Sequence, residues 1–134
     1  MSWLTKQVRW IMLVSGALTC TMFYAAVAPE AAQISNFGSA LTGPVADVVV
    51  RNWGALIGLV GLMLIYGAFN PPVQRLVLLV AATSKLVFIS LVLYYGQTLL
   101  GSSVRVAVVV DAVWVVVFAV ILVGTRIGHS RAPA

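Results

Sequence analysis

Two charged side chains, Lys85 and Asp111, fall well inside apolar stretches of the sequence and are the first candidates for chemistry. A charged side chain near the centre of a membrane-spanning helix costs about 2.5 to 3.5 kcal/mol, so it usually has a partner or a function. Counted from the loop between the two stretches, Lys85 is about fourteen residues deep and Asp111 about twelve. At 1.5 Å per residue the difference in depth is within reach of a lysine side chain, which predicts an interhelical ion pair.

The predicted pair has two interpretations that the sequence leaves open. In the structural interpretation, the opposite charges neutralise each other and hold two helices in one register. In the functional interpretation, Asp111 exchanges protons or Lys85 binds an anion in a cavity. A water-accessible path to the pair would favour the second interpretation.

Three further residues extend this candidate cluster. Arg51 follows Asp47 by four residues, the spacing of an ion pair along one helix face; alternatively, Arg51 and Asn52 point inward and join the lysine. Trp114 follows Asp111 by three residues, so its indole either donates a hydrogen bond, forms the wall of a pocket, or packs in the core. The predicted intramembrane binding cluster therefore comprises Lys85, Asp111, Trp114, Arg51 and Asn52.

Other kinds of chemistry lack the residues they need. A single cysteine, Cys20, excludes an intramolecular disulfide and a multi-thiolate zinc site, and a single histidine, His129, excludes a multi-histidine metal or haem site. No nucleophile has an adjacent base, no two carboxylates are close, and no glycine-rich phosphate loop is present. We therefore expect no metal, no cofactor and no catalytic residue.

The composition places the chain in a membrane. Of 134 residues, 62% are hydrophobic and only 8% are charged, whereas a soluble domain has about 25% charged residues. The net charge is +5, but the basic residues are scattered singly beside apolar segments and form no basic stripe. We therefore predict contact with the lipid bilayer and none with nucleic acid.

Four apolar segments are long enough to cross a bilayer, at about residues 8–28, 48–69, 73–95 and 104–124. Asn70, Pro71 and Pro72 separate the second segment from the third, and a stretch from Gly96 to Ser103 separates the third from the fourth. These short connections predict an all-α integral membrane protein, a left-handed antiparallel four-helix transmembrane bundle forming one domain over residues 1–134. In the longer connection after the first segment, Pro29 and Glu30 predict the start of a short interfacial helix, and Pro44 leads into the second span.

The basic residues next to the segment ends predict the orientation. One side of the membrane would hold Lys6, Arg9, Arg75, Arg126 and Arg131, and the other would hold Glu30, Asp47, Arg51 and Arg105. Because basic residues are enriched on the cytoplasmic side, both termini are predicted to be cytoplasmic, in a single orientation in a bacterial inner membrane.

Small residues predict close helix packing along the second segment. Gly54, Gly58 and Gly61 lie on one face of a helix and include a Gly-x-x-x-Gly pair. We expect this face to pack within the bundle, with a contact to a second copy as the alternative.

Several short motifs also resemble a known group. They are Arg51-Asn52-Trp53-Gly54, Ile65-Tyr66-Gly67-Ala68-Phe69-Asn70-Pro71, Ser84-Lys85 and Asp111. Together they cover most of the chain and resemble small bacterial four-span membrane proteins, broadly of the DoxX-like kind, to which no reaction is assigned. DoxX itself is associated with a quinone-linked oxidoreductase complex, so the resemblance implies an accessory role.

These observations lead to three functional hypotheses. The first is a non-catalytic accessory or small-ligand-binding subunit of an inner-membrane assembly, with another membrane protein or a second copy as partner. The second is a small transporter or proton-coupled carrier that uses Lys85 and Asp111. The third is a membrane enzyme that acts on a lipid or a quinone. The expected ligand is a lipid, a quinone or a small anion.

Overall fold

The computed structural model describes residues 3–101 and 103–129, and within these ranges the regular structure is entirely helical. The α-helices are α1 (Trp3–Cys20), α2 (Phe23–Val27), α3 (Pro29–Phe37), α4 (Pro44–Phe69), α5 (Pro71–Tyr95) and α6 (Val104–His129). A short 3-10 helix, Gln97–Gly101, connects α5 to α6.

Four helical segments are long and apolar enough to span a membrane, as the sequence predicts. They are Lys6–Val27, Pro44–Phe69, Pro71–Tyr95 and Val104–Thr125, of 22 to 26 residues each. At 1.5 Å per residue such helices are about 33 to 39 Å long, which exceeds the roughly 30 Å of a bilayer core. Helix α4 begins at Pro44, earlier than predicted, because proline is well suited to the first helical turn.

The first predicted span is confirmed as Lys6–Val27, and the structure adds an interruption within it. α1 ends at Cys20 and α2 begins at Phe23. Near the break, the Thr19 hydroxyl donates to the carbonyl of Ser15 at 2.7 Å and the Thr21 hydroxyl donates to that of Leu18 at 2.6 Å. At the break the backbone N–H groups of Thr21 and Met22 donate to carbonyls three residues back, at 3.2 and 3.1 Å, in place of the α-helical spacing of four.

The predicted short helix in the first connection is confirmed as α3. Pro29 lies in its first turn with Glu30, and the helix ends at Gly38, whose φ of 78° is left-handed. Beyond the helix, the backbone N–H of Leu41 donates to the Gln33 side-chain oxygen at 3.0 Å. This bond links the following loop to α3.

The glycine face of α4 lies against the first span. A Cβ at Gly54 would lie 2.6 Å from the Cβ of Ala25, and a Cβ at Gly58 would lie 2.7 Å from the ring of Phe23. A Cβ at Gly61 would lie 2.7 Å from the backbone nitrogen of Cys20. Only glycine permits this approach between the two backbones.

The hydrophobic core fills one half of the bundle. Met12 of α1, Leu64 of α4 and Phe118 of α6 are fully buried there, together with residues of α5 such as Leu78. A second, smaller cluster at the other end joins α2, α3 and α4. Helix α6 is not part of this second cluster, so the bundle is less tightly packed in that half.

Candidate intramembrane ligand site

The site is built around an ion pair between α5 and α6. Lys85 Nζ lies 2.5 Å from Asp111 Oδ1, and the two side chains are 11% and 20% exposed. Among the described residues this is the one ion pair closer than 4.0 Å. The contact expected from counting residues along the two helices is therefore present.

A cavity of about 520 Å³ lies beside this ion pair. It occupies the half of the bundle that the main core leaves open, between the break in the first span and helices α4, α5 and α6. This volume is in the range of roughly 300 to 1,000 Å³ typical of small-molecule sites. The residues that line it are Leu18, Thr19, Thr21, Met22, Asn36, Phe37, Trp53, Ile57, Val60, Ala81, Ser84, Lys85, Phe88, Ser103, Val104, Val106, Ala107, Val110, Asp111 and Trp114.

Aromatic side chains form both ends of the cavity. At the inner end, Trp114 stacks on the buried Phe118 with ring centroids 5.9 Å apart. At the other end, Phe37 of α3 meets Trp53 of α4 with centroids 5.8 Å apart and planes tilted by 44°. Such contacts each contribute about 0.5 to 1.5 kcal/mol beyond the buried area, so they help to hold these aromatic side chains in place.

Much of the polar lining already has hydrogen-bond partners within the protein. The Thr19 and Thr21 hydroxyls donate to backbone carbonyls, and the Asn36 amide donates to the Ala32 carbonyl at 2.8 Å. A lysine ammonium has three N–H donors, and that of Lys85 uses one of them on Asp111. Two N–H groups of Lys85 are therefore left to meet a molecule in the cavity.

Trp114 acts as a wall of the cavity. Its indole N–H makes no hydrogen bond to Asp111 or to any other described residue, although the two residues share a helix face. The Ser84 hydroxyl, next to Lys85 in sequence, likewise makes no hydrogen bond to a described residue. The indole N–H of Trp114 and the hydroxyl of Ser84 can therefore form hydrogen bonds to a ligand close to the ion pair.

Arg51 and Asn52 lie apart from the cavity. Both side chains are exposed and neither lines it. Arg51 donates to the carbonyls of Ala26 at 2.7 Å and Val27 at 3.2 Å, where the end of α2 leaves carbonyls without helical partners. Arg51 therefore forms an ion pair with neither Asp47 nor Lys85, because its guanidinium donates hydrogen bonds to these two carbonyls instead.

Several lining residues are absent from the predicted cluster. Asn36 and Phe37 reach the cavity only because α3 folds back over it, and Phe88 lies about one helical turn from Lys85. A second cavity of about 270 Å³, bounded by the loop after α3 and the start of α4, shares Phe37 and Trp53 with the first. These lining residues are apolar or amide residues on separate helices, so no regular spacing in the sequence shows that they meet at one cavity.

Comparison with protein-family models, curated proteins and solved structures finds no match to this chain. The DoxX-like resemblance therefore rests on the sequence motifs alone and stays a hypothesis.

Proposed function

We propose that this protein is a multi-pass protein of the bacterial inner membrane that binds one small ligand beside Lys85 and Asp111, as a non-catalytic subunit of a membrane assembly. The cavity of about 520 Å³ next to the ion pair carries this proposal. The DoxX-like motifs agree with an accessory role.

The proposed arrangement is a left-handed antiparallel bundle with both termini in the cytoplasm. A single residue, Asn70, separates α4 from α5, and a connection this short supports antiparallel neighbours. The basic residues near the termini and at the α4 to α5 connection support a cytoplasmic location for that side. The cavity would then lie in the outer half of the membrane.

Ligand binding explains the cavity better than a purely structural ion pair does. A pair that only joins α5 to α6 needs no empty volume beside it, and close packing around it would strengthen the contact. Here the pair borders a cavity and Lys85 has two further donors directed to no described residue. Transport would also require a path through the half that Met12, Leu64 and Phe118 close, so the packing favours binding over a carrier.

Native mass spectrometry of the gently extracted protein tests this function, with two matched variants. Ala107 lines the cavity, whereas Ala112 lies on the exposed side of the same helix. Ala107→Phe should place a ring in the cavity and obstruct the ligand, whereas Ala112→Phe should leave the cavity unchanged. We expect a small bound mass on the wild type and on Ala112→Phe that is lost from Ala107→Phe, and a recurrent partner chain on all three.

Two results would contradict this proposal. A wild-type protein with neither bound mass nor partner chain would remove its basis. A small mass that stays bound to Ala107→Phe would place the ligand elsewhere on the protein.

A further inference from the structure

We infer that the cavity opens sideways into the bilayer between α1 and α6 and takes a neutral, lipid-dissolved molecule with a hydrogen-bond-accepting oxygen. This inference rests on the proposed ligand-binding function and adds the route and the chemical class of the ligand.

The route follows from residues that line the cavity and are also exposed. On the side of the first span, Leu18 is 52% exposed, and on α6 Val106 is 63% and Val110 is 44% exposed. α1 and α6 make few direct contacts, and they share a buried cluster only in the other half of the bundle. Because all three residues lie within membrane-spanning segments, the gap between them faces lipid.

The opposite end of the cavity is covered by α3. Phe37 and Trp53 lie between the main cavity and the second cavity near the loop. Ala32 of α3 is buried against Val50 of α4, which holds the helix in place. The aromatic pair covers the part of this end below α3, whereas a molecule in the bilayer meets the gap at Leu18, Val106 and Val110 directly.

The depth of the ion pair disfavours ionised ligands. Lys85 lies ten residues before Tyr95, the end of α5, or about 15 Å along the helix, which is about half of the bilayer core. A phosphate or another fixed charge at this depth is costly. The ligand group that reaches Lys85 is therefore a neutral one.

The charge balance of the site leads to the same class of ligand. Lys85 and Asp111 neutralise each other, so an anionic head group beside them would leave the site with a net negative charge. A carbonyl or hydroxyl oxygen can instead accept from the two remaining N–H groups while the pair stays intact. The apolar lining, which includes Ile57, Val60 and Phe88, suits an aliphatic or cyclic body.

Tryptophan quenching in lipid nanodiscs tests the route and the ligand class. Replacing the exposed Trp3 and Trp10 with phenylalanine leaves Trp53 and Trp114, which both line the cavity. The neutral probe is 8-bromooctan-2-one, and its ionised counterpart is 8-bromooctane-1-sulfonate. Ala107→Phe in the same background places a ring in the cavity to obstruct the probe, so the quenching that remains comes from the surrounding lipid.

We expect the ketone to quench the two tryptophans well above this background and the sulfonate to quench at least tenfold more weakly. Val110 lines the gap, whereas the neighbouring Val109 is exposed and lies outside the cavity lining. In stopped-flow mixing, Val110→Phe should slow quenching by the ketone at least tenfold, and Val109→Phe should leave the rate unchanged.

Three results would overturn the inference and leave the proposed function standing, provided native mass spectrometry finds a small mass in the cavity. The first is quenching by the sulfonate and not by the ketone, which would indicate an anionic ligand. The second is no quenching by either probe. The third is a rate that is equal in Val110→Phe and Val109→Phe but rises in Phe37→Ala, which would place the route under α3. Loss of both the bound mass and the quenching would end both proposals.

Discussion

At the scale of single residues, Lys85 and Asp111 show how a membrane protein accommodates charge. An unpaired charge at this depth in the membrane costs free energy. Lys85 and Asp111 have opposite charges and lie 2.5 Å apart, so each neutralises the other. Both side chains line the cavity, and they are 11% and 20% exposed. The same pair can therefore stabilise the bundle and present hydrogen-bond donors.

The energetic link between the two side chains can be measured with a double-mutant cycle. Lys85→Met alone leaves the Asp111 carboxylate without its partner, so it should lower the free energy of unfolding more than the double variant Lys85→Met with Asp111→Leu. We expect a coupling energy of about 1 to 3 kcal/mol. Unfolding in mixed detergent micelles, followed by circular dichroism, gives the four values of the cycle. Additive losses in the two single variants would show that the contact contributes nothing to stability.

Arg51 shows the limit of spacing arguments at the same scale. The interval of four residues from Asp47 correctly describes neighbours on one helix face. The guanidinium nevertheless bonds to the carbonyls of Ala26 and Val27 on another helix. Because backbone acceptors exist at every residue, only the three-dimensional position of the end of α2 identifies these two.

At the scale of helices, α4 packs against the first span through glycine, and at Gly61 the nearest atoms include backbone atoms of that span. A methyl group there would lie 2.7 Å from the backbone nitrogen of Cys20 and 2.8 Å from the carbonyl oxygen of Gly16. Neither backbone atom can move without moving its helix. This contact, with those at Gly54 and Gly58, sets the separation of the two spans.

Alanine substitution at two helical glycines tests this packing. Gly61→Ala should lower the free energy of unfolding by about 1 to 3 kcal/mol, because the added methyl overlaps backbone atoms. Gly124 of α6 is the matched control, since nothing lies within 4 Å of a Cβ placed there. Gly124→Ala should be neutral or should stabilise by up to about 1 kcal/mol through its higher helix propensity. Equal effects at the two positions would contradict close packing at Gly61.

The helix ends were predictable to different degrees. Proline at the start and left-handed glycine at the end are local signals, and α3 begins at Pro29 and ends at Gly38 as such signals require. The break after Cys20 was missed because Thr19 and Thr21 are compatible with a continuous helix and no proline or glycine marks residues 20–23.

At the scale of the whole molecule, one half of the bundle is closed and the other contains a cavity. Met12, Leu64 and Phe118 fill the half near the start of α1 and the end of α6. In the other half, residues of the first span, α3, α4, α5 and α6 line the cavity beside the ion pair. The candidate site therefore lies in the half of the bundle that the main hydrophobic core does not fill.

The proposed orientation can be tested by labelling single cysteines in intact cells. In a Cys20→Ser background, we would place a cysteine at Thr98, in the α5 to α6 connection, and in a second variant at Gln74, near the start of α5. With both termini in the cytoplasm, a membrane-impermeant maleimide should label Thr98→Cys in intact spheroplasts and Gln74→Cys only after permeabilisation. The reverse pattern, or labelling of both in intact spheroplasts, would contradict the proposed orientation.

The sequence by itself determined the spans and the candidate ion pair, because both depend on local properties. Length, hydropathy and charge act along one segment, so the four spans and the matching depths of Lys85 and Asp111 follow from counting. Only the tertiary structure decided that residues of α3 line a cavity beside the ion pair and that Arg51 bonds to the end of α2. These features depend on how the glycine contacts and the break in the first span orient whole helices, and each involves residues far apart in the chain.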